Sequence, residues 1–277
     1  MFTRLLVGLD GSAGAEAALE AALVLGGASH ATIVLAAVTD IRLLEAPLME
    51  TAGPLWAEGV PVAPVASDLR FSLEERARTF LADGAARVAS AGLAAETVRA
   101  VGIVDEELLR LAEETDAVVI GRRGDVHTMP GKIGAVTAHV IKRAPLPVVV
   151  AGDRPSTFEK PAVAFDGGET STHALEYACR FAVERGLSLD ILHVGSEGTD
   201  AEAMLASARA VAAPYAVTVR THALGGDIVA AVADWIARSG ADLLVAGAHG
   251  GRGMPWPLGS HAEKLIRATV VPVLIHR

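Results

Sequence analysis

Ala117-Val118-Val119-Ile120-Gly121-Arg122-Arg123-Gly124, followed after nine residues by Gly134-Ala135, has a second copy in Leu243-Leu244-Val245-Ala246-Gly247-Ala248-His249-Gly250, followed after eight by Gly259-Ser260. A short, uniformly apolar run that ends at glycine reads as a central parallel strand covered on both faces. The glycines beyond it let backbone N–H groups come close to a phosphate. A helix opening at Gly134 or Gly259 adds its unpaired N–H groups and the positive end of its dipole. The two stretches therefore predict two strand–loop–helix anion cradles.

The repetition extends outward in both directions. Val7-Gly8-Leu9-Asp10-Gly11-Ser12 matches Val163-Ala164-Phe165-Asp166-Gly167-Gly168, and the run from Val140 to Val150 matches that from Leu265 to Ile275. Gly134 to Pro147 and Gly259 to Pro272 both span 13 positions. Each half reads β-α-β-α-β-α-β-α-β, which predicts an α/β fold of two tandem, doubly wound, five-stranded parallel-sheet domains. The expected domains are residues 1–152 and 157–277, linked through Asp153-Arg154-Pro155-Ser156. The first helix is placed after Ser12 and after Thr170-Ser171. The second is placed at the capping boxes Ser72-x-x-Glu75 and Thr199-x-x-Glu202, with Gly92 stopping the one in half one. Asp227 is read as the cap of a helix whose apolar face is Ile228, Val232, Trp235 and Ile236. Pro147 and Pro272 are expected to open the last strands. Asp10 to Gly121 spans 111 positions against 81 from Asp166 to Gly247. The surplus falls between about 40 and 69, where Pro47, Pro54, Pro61 and Pro64 surround Trp56, and reads as a functional flap or a disordered excursion.

The 277 residues are 51% hydrophobic and only 4% aromatic, so Ala, Val, Leu and Ile must build the core. Net charge is −9 and neither half is basic, which excludes sequence-independent nucleic-acid binding. The single cysteine, Cys179, excludes an intrachain disulfide and reads as a packed thiol on a helix. Ala21 to Val38 lacks charged residues, but Gly26-Gly27 breaks it into a helix end and a strand rather than a membrane span. With no signal-peptide layout at the N-terminus, a soluble cytoplasmic protein is expected. His127, His173, His193, His222 and His261 have no compact ligand spacing, so no metal is assigned. Gly124 to Gly131-Lys132-Ile133 fails as a P-loop, and no nucleophile elbow or H-E-x-x-H motif occurs, so no catalytic residue is assigned.

Three features resemble the universal stress protein family in its tandem form: Asp10-Gly11 with Asp166-Gly167, the G-x2-G-x9-G-[ST] loop, and the closing Pro-Val-x-(Val/Ile) strand. The resemblance covers the chain twice over. It implies an adenine nucleotide alpha hydrolase-like sheet in each half, adenine nucleotide binding, and halves packed about a pseudo-two-fold through strands 147–151 and 272–276. It places Asp10 and Asp166, with Gly11 and Gly167, beside the adenine or ribose, and Val38 and Val194 on the base. Ile120, Gly121, Gly124, Gly134, Ala135 and Val136 would line the ribose and phosphate path of half one. Ala246, Gly247, Gly250, Gly259, Ser260 and His261 would line that of half two.

Both loops depart from the family pattern. Ala135 stands where the family has Ser or Thr, and losing a hydroxyl bond to phosphate costs about 1.5–3 kcal/mol. Arg122, Arg123 and Lys132 are candidates to recover part of it, although Arg122-Arg123 also reads as a solvated loop pair. Half two keeps Ser260 in a loop one residue shorter that contains Pro255 and Pro257. There His249 reads equally as a phosphate contact or a loop histidine, and Trp256 as loop packing or a base stack. The reading favoured is a regulatory module binding ATP, ADP or AMP, with Mg²⁺ as companion cation, an unidentified protein partner and a second copy as candidate dimer partner. The alternatives are a nucleotide-free scaffold and a slow ATP hydrolase, for which no general base stands out.

Overall fold

β1 (Arg4–Gly8) holds Leu5, Leu6 and Val7 fully buried because the sheet is covered on both faces. The computed structural model describes residues 2–43, 62–124, 132–195, 199–248 and 260–277. In it β1 pairs in parallel with β2 (Thr32–Asp40) and with β4 (Ala117–Ile120). β3 (Ala95–Gly102) extends the sheet beyond β2, and β5 (Val148–Val150) beyond β4. Half two repeats the arrangement with β6 (Pro161–Ala164) between β7 (Leu189–Val194) and β9 (Leu243–Gly247). β8 (Val219–Leu224) lies outside β7, and β10 (Val273–His276) beside β9.

The halves join where β5 meets β10 antiparallel, with Val150 opposite Val273 and Val148 opposite Ile275. The result is one ten-stranded sheet in the order β3-β2-β1-β4-β5-β10-β9-β6-β7-β8. That order reads the same from either end when equivalent strands are exchanged, so a pseudo-two-fold passes between β5 and β10, as the resemblance implies. One face is covered by α1 (Ala13–Gly27), α2 (Val62–Ser90), α5 (Glu169–Arg185) and α6 (Thr199–Ala212). The other is covered by α3 (Val104–Ala112), α4 (Ala135–Arg143), α7 (Ile228–Ser239) and α8 (Ser260–Ala268). Strand alternation divides the core between them, Leu5 and Val7 packing on the first face and Leu6 on the second.

Local signals explain most boundaries. The Ser12 hydroxyl caps α1 by accepting from Ala15 N at 3.1 Å, and Asp227 caps α7 by accepting from Val229 N and Ala230 N at 3.0 Å. Gly92 follows α2 at φ +73°, a conformation glycine adopts without strain. Three expectations are corrected. Thr170 and Ser171 lie inside the first turn of α5, whose cap is Gly168, because the Ser171 hydroxyl is engaged by Asp166 at 2.6 Å. Ser72 and Glu75 fall in the middle of α2, which already begins at Val62; Pro64 is tolerated because first-turn N–H groups have no intrahelical acceptor. Glu75 there pairs with Arg78 at 2.8 Å instead of capping. Pro147 and Pro272 precede the last strands rather than open them, each giving its carbonyl to the neighbouring strand at 3.1 Å. Residues 44–61, with Pro47, Pro54, Trp56 and Pro61, lie outside the described residues.

The connector at 153–156 is fixed in place. Asp153 N and Arg154 N donate to Val270 O at 2.9 and 3.2 Å, and the Ser156 hydroxyl donates to Asp242 O at 2.6 Å. Two aspartates unnoticed in the sequence anchor the strand entrances in the same way. Asp116 accepts from Thr3 N, Thr3 Oγ1 and Arg4 N at 2.6–2.8 Å, and Asp242 accepts from Lys160 N at 2.8 Å and Thr157 Oγ1 at 2.7 Å.

Candidate functional site

In a doubly wound sheet the ligand crevice lies beyond the carboxyl ends of the strands. In half one the turn after β1 is held by Asp10, whose Oδ1 accepts from Ser12 N at 2.9 Å. The turn after β4 comes back against it, so closely that a Cβ on Gly124 would stand 2.5 Å from Asp10 Oδ2. Gly121 approaches the first turn of α1 just as tightly: a Cβ there would lie 2.8 Å from the Gly14 Cα. Asp10, Gly121 and Gly124 thus come together, as expected from sequence. Gly134 caps α4 with its N–H donating to Arg122 O at 3.0 Å, and the buried Thr137 hydroxyl donates to Gly121 O at 2.8 Å. These two bonds fix the helix start, with Ala135 and Val136 in its first turn, against the loop. Ile120 is buried at the end of β4, Val38 is half-buried near the end of β2, and Lys132 and Arg123 are exposed. Phe80 of α2 lies over Gly11, where any Cβ would meet its ring.

Arg122 is a correction. Its side chain leaves the loop and is buried between the halves, where Nη1 donates to Asp153 at 3.0 Å and Nη2 to Thr269 O at 2.8 Å. Burial lowers its pKa, partly offset by Asp153, and Nε has no partner among the described residues. Both terminal nitrogens are thus engaged by acceptors away from the loop.

In half two the Asp166 carboxylate accepts from Gly168 N at 2.9 Å and from the Ser171 hydroxyl. Beside it a cavity of about 90 Å³ opens at the ends of β6, β7 and β9, between α7 and α8. Asp166, Val194, Ala246, Gly247 and His261, all expected from sequence, line it together. So do Ser171, Ile228, Val232 and Leu265, none of which the sequence singles out as a site residue. For Ile228 and Val232 the signal is the apolar stripe of α7, since a helix covering the strand ends must turn part of that stripe toward the crevice. Met204 lies over Gly167, whose φ is +77°, as Phe80 lies over Gly11. Ser260 opens α8; His249, Gly250, Gly259, Pro255, Trp256 and Pro257 lie outside the described residues. Among the described residues no cluster of His, Cys, Asp or Glu is arranged to hold a metal, and no helix is long and apolar enough to cross a membrane.

The same architecture occurs in known proteins. The profile of the universal stress protein family matches residues 1–152 and 195–277. The chain belongs to the universal stress protein family. A universal stress protein of Synechocystis sp. is 26% identical to it over 208 residues, covering 73% of this chain and 72% of the relative. The crystal structure of a universal stress protein from Archaeoglobus fulgidus superposes with a TM-score of 0.76 at 20% identity, covering 99% of this chain and 96% of that one. A functionally unknown protein from Pseudomonas aeruginosa superposes with a TM-score of 0.62 at 17% identity, covering 99% and 92%. At these identities the solved structures speak for the fold, and they do so over both halves of this universal stress protein.

Proposed function

We propose that this universal stress protein is a regulatory module that binds an adenine nucleotide beyond the carboxyl ends of its strands, in units spanning 1–152 and 157–277. One observation carries the reading. In half two a carboxylate (Asp166), an apolar floor (Val194, Ala246, Leu265) and the start of a helix (α8) converge on one cavity. The floor suits a base, the carboxylate suits ribose hydroxyls, and the first-turn N–H groups of α8 suit phosphate. Half one offers the same parts in Asp10, Val38, Gly124 and the start of α4, but Ala135 supplies no hydroxyl and Arg122 is committed elsewhere. Half two is therefore the tighter site. ATP, ADP or AMP fits this chemistry, with Mg²⁺ brought by the phosphates. Each aspartate is tied to its own turn, and no acid–base pair stands over a γ-phosphate among the described residues, so binding rather than turnover is the proposed activity.

The test is chromatography of the small molecules released when freshly purified protein is denatured. Adenine nucleotide near one equivalent, lost in Gly250→Val and retained in Gly124→Val, is the expected result. No release, with no thermal shift at millimolar ATP and Mg²⁺, overturns the reading and leaves a scaffold that works through protein partners or a second copy.

A further inference from the structure

A second cavity, of about 320 Å³, opens on the other face of the sheet, where the last turns of α1 and α5 converge at the junction of the halves. Leu25 and Phe181, which line it, hold matching positions in the repeat, so the cavity is built by the pseudo-two-fold itself and no single half contains it. The two sides have diverged in chemistry. Half one supplies apolar surface from Phe2 and Leu25 together with Ser29, whose hydroxyl oxygen is buried with no hydrogen-bond partner among the described residues. Half two supplies Arg185, lying on the Phe181 ring with its guanidinium carbon 5.2 Å from the ring centroid. The hydrogen bond seen for that guanidinium is one long contact of 3.5 Å to Thr157 O. Burial also lowers the Arg185 pKa, against the opposing charges of Asp242 and Glu159.

A half-buried arginine with donors to spare, beside a floor of the apolar residues Phe2, Leu25 and Phe181, matches one class of ligand. A carboxylate accepts two parallel bonds from a guanidinium, and a compact apolar body covers the floor. Glu184, also in the lining, opposes a dianionic phosphate more strongly than a singly charged carboxylate, which favours the smaller charge here. The volume lies at the small end of ligand cavities, which run from roughly 300 to 1,000 Å³. We propose that the cleft between α1 and α5 binds a small apolar monocarboxylate, of the size of benzoate or phenylacetate, held by Arg185 and bridging the two halves.

The test is calorimetric titration of the full chain with phenylacetate and with its neutral isostere phenylacetamide. The expected result is one saturable site per chain for the acid, with the amide weaker by about ten- to a hundredfold, the effect of losing a charged hydrogen bond. Arg185→Gln should weaken phenylacetate by a similar factor while leaving nucleotide release unchanged. Leu25→Trp fills the cavity from the opposite half with Arg185 intact, and should abolish binding in a chain whose circular dichroism shows it folded. Equal affinity for acid and amide, binding that survives both substitutions, or no saturable binding to the unaltered chain overturns the proposal. None of these outcomes depends on whether nucleotide binds at the strand ends.

Discussion

Replacing Gly121 with alanine tests the contact on which the half-one site is built. A Cβ at 121 would stand 2.8 Å from the Gly14 Cα and 2.5 Å from its carbonyl oxygen, both backbone atoms. Non-bonded carbons settle at about 3.5–4.0 Å, so the end of β4 and the first turn of α1 must part by roughly 1 Å. Forced overpacking of this kind costs about 1–3 kcal/mol. At roughly 2–4 °C per kcal/mol, Tm should fall by about 2–12 °C. At 247 the same contact is looser and partly made by a side chain, with Thr170 C and Oγ1 at 2.8 Å and Ser171 N at 2.9 Å. Gly247→Ala should therefore cost less than Gly121→Ala. Gly27 is the internal control, because no atom lies within 4 Å of its Cβ position and alanine there should stabilise the end of α1 by about 0.5–1 kcal/mol. Thermal unfolding followed by far-ultraviolet circular dichroism orders the three. A Gly121→Ala chain melting no lower than Gly27→Ala would refute the reasoning.

Other predictions rest on single groups. Burial raises the pKa of Asp190, but Arg220 at 2.7 Å and His222 at 2.7 Å outweigh it, so the group titrates below the ordinary carboxylate range. Its contribution to stability is present above the unfolded-state pKa of about 3.9 and is lost as pH falls through the lower native value. Urea midpoints of Asp190→Asn should therefore lie below those of the unaltered chain at pH 6, and the two curves should converge toward pH 2. Burial pushes the Cys179 thiol up to about 11, so a disulfide reagent at pH 8 should label it only after denaturation. Asp153→Ala leaves the Arg122 guanidinium with Thr269 O as its remaining acceptor among the described residues. Because the Asp153 side chain is 55% exposed, solvent limits the expected loss to about 1 kcal/mol, read from the urea midpoint.

Strand positions and the convergence of Asp10 with Gly124, or of Asp166 with Val194 and Gly247, were legible because they follow from periodicity and from a rule about strand ends. Helix starts were less so. The Ser72-x-x-Glu75 pattern has the capping chemistry, yet the helix that begins at Val62 runs through it, since a capping box matters only where N–H groups are still unpaired. Thr170-Ser171 failed for a related reason: a hydroxyl that reaches back to Asp166 serves equally well from inside the first turn. Arg122 was unreadable in principle, because its position on the loop was clear but its acceptor, Thr269 O, belongs to the other half. The cleft between α1 and α5 escaped notice on the same ground: its walls are supplied by Leu25 and Phe181, and only the packing of the halves brings them together.

The duplicated fold has kept its frame and changed its contacts. Both halves retain an aspartate clamp at the strand entrance, a close approach between strand four and the first helix, and a bulky side chain over the Asp-Gly turn. The position matching Arg122, however, is Ala248, whose N–H merely donates to His276 O at 2.8 Å. The loop of half one is thus tied through a buried guanidinium to the end of α8, and half two has no reciprocal tie at that position. The two halves are equivalent in fold and unequal in the contacts that cross between them, and the inequality follows from one side chain.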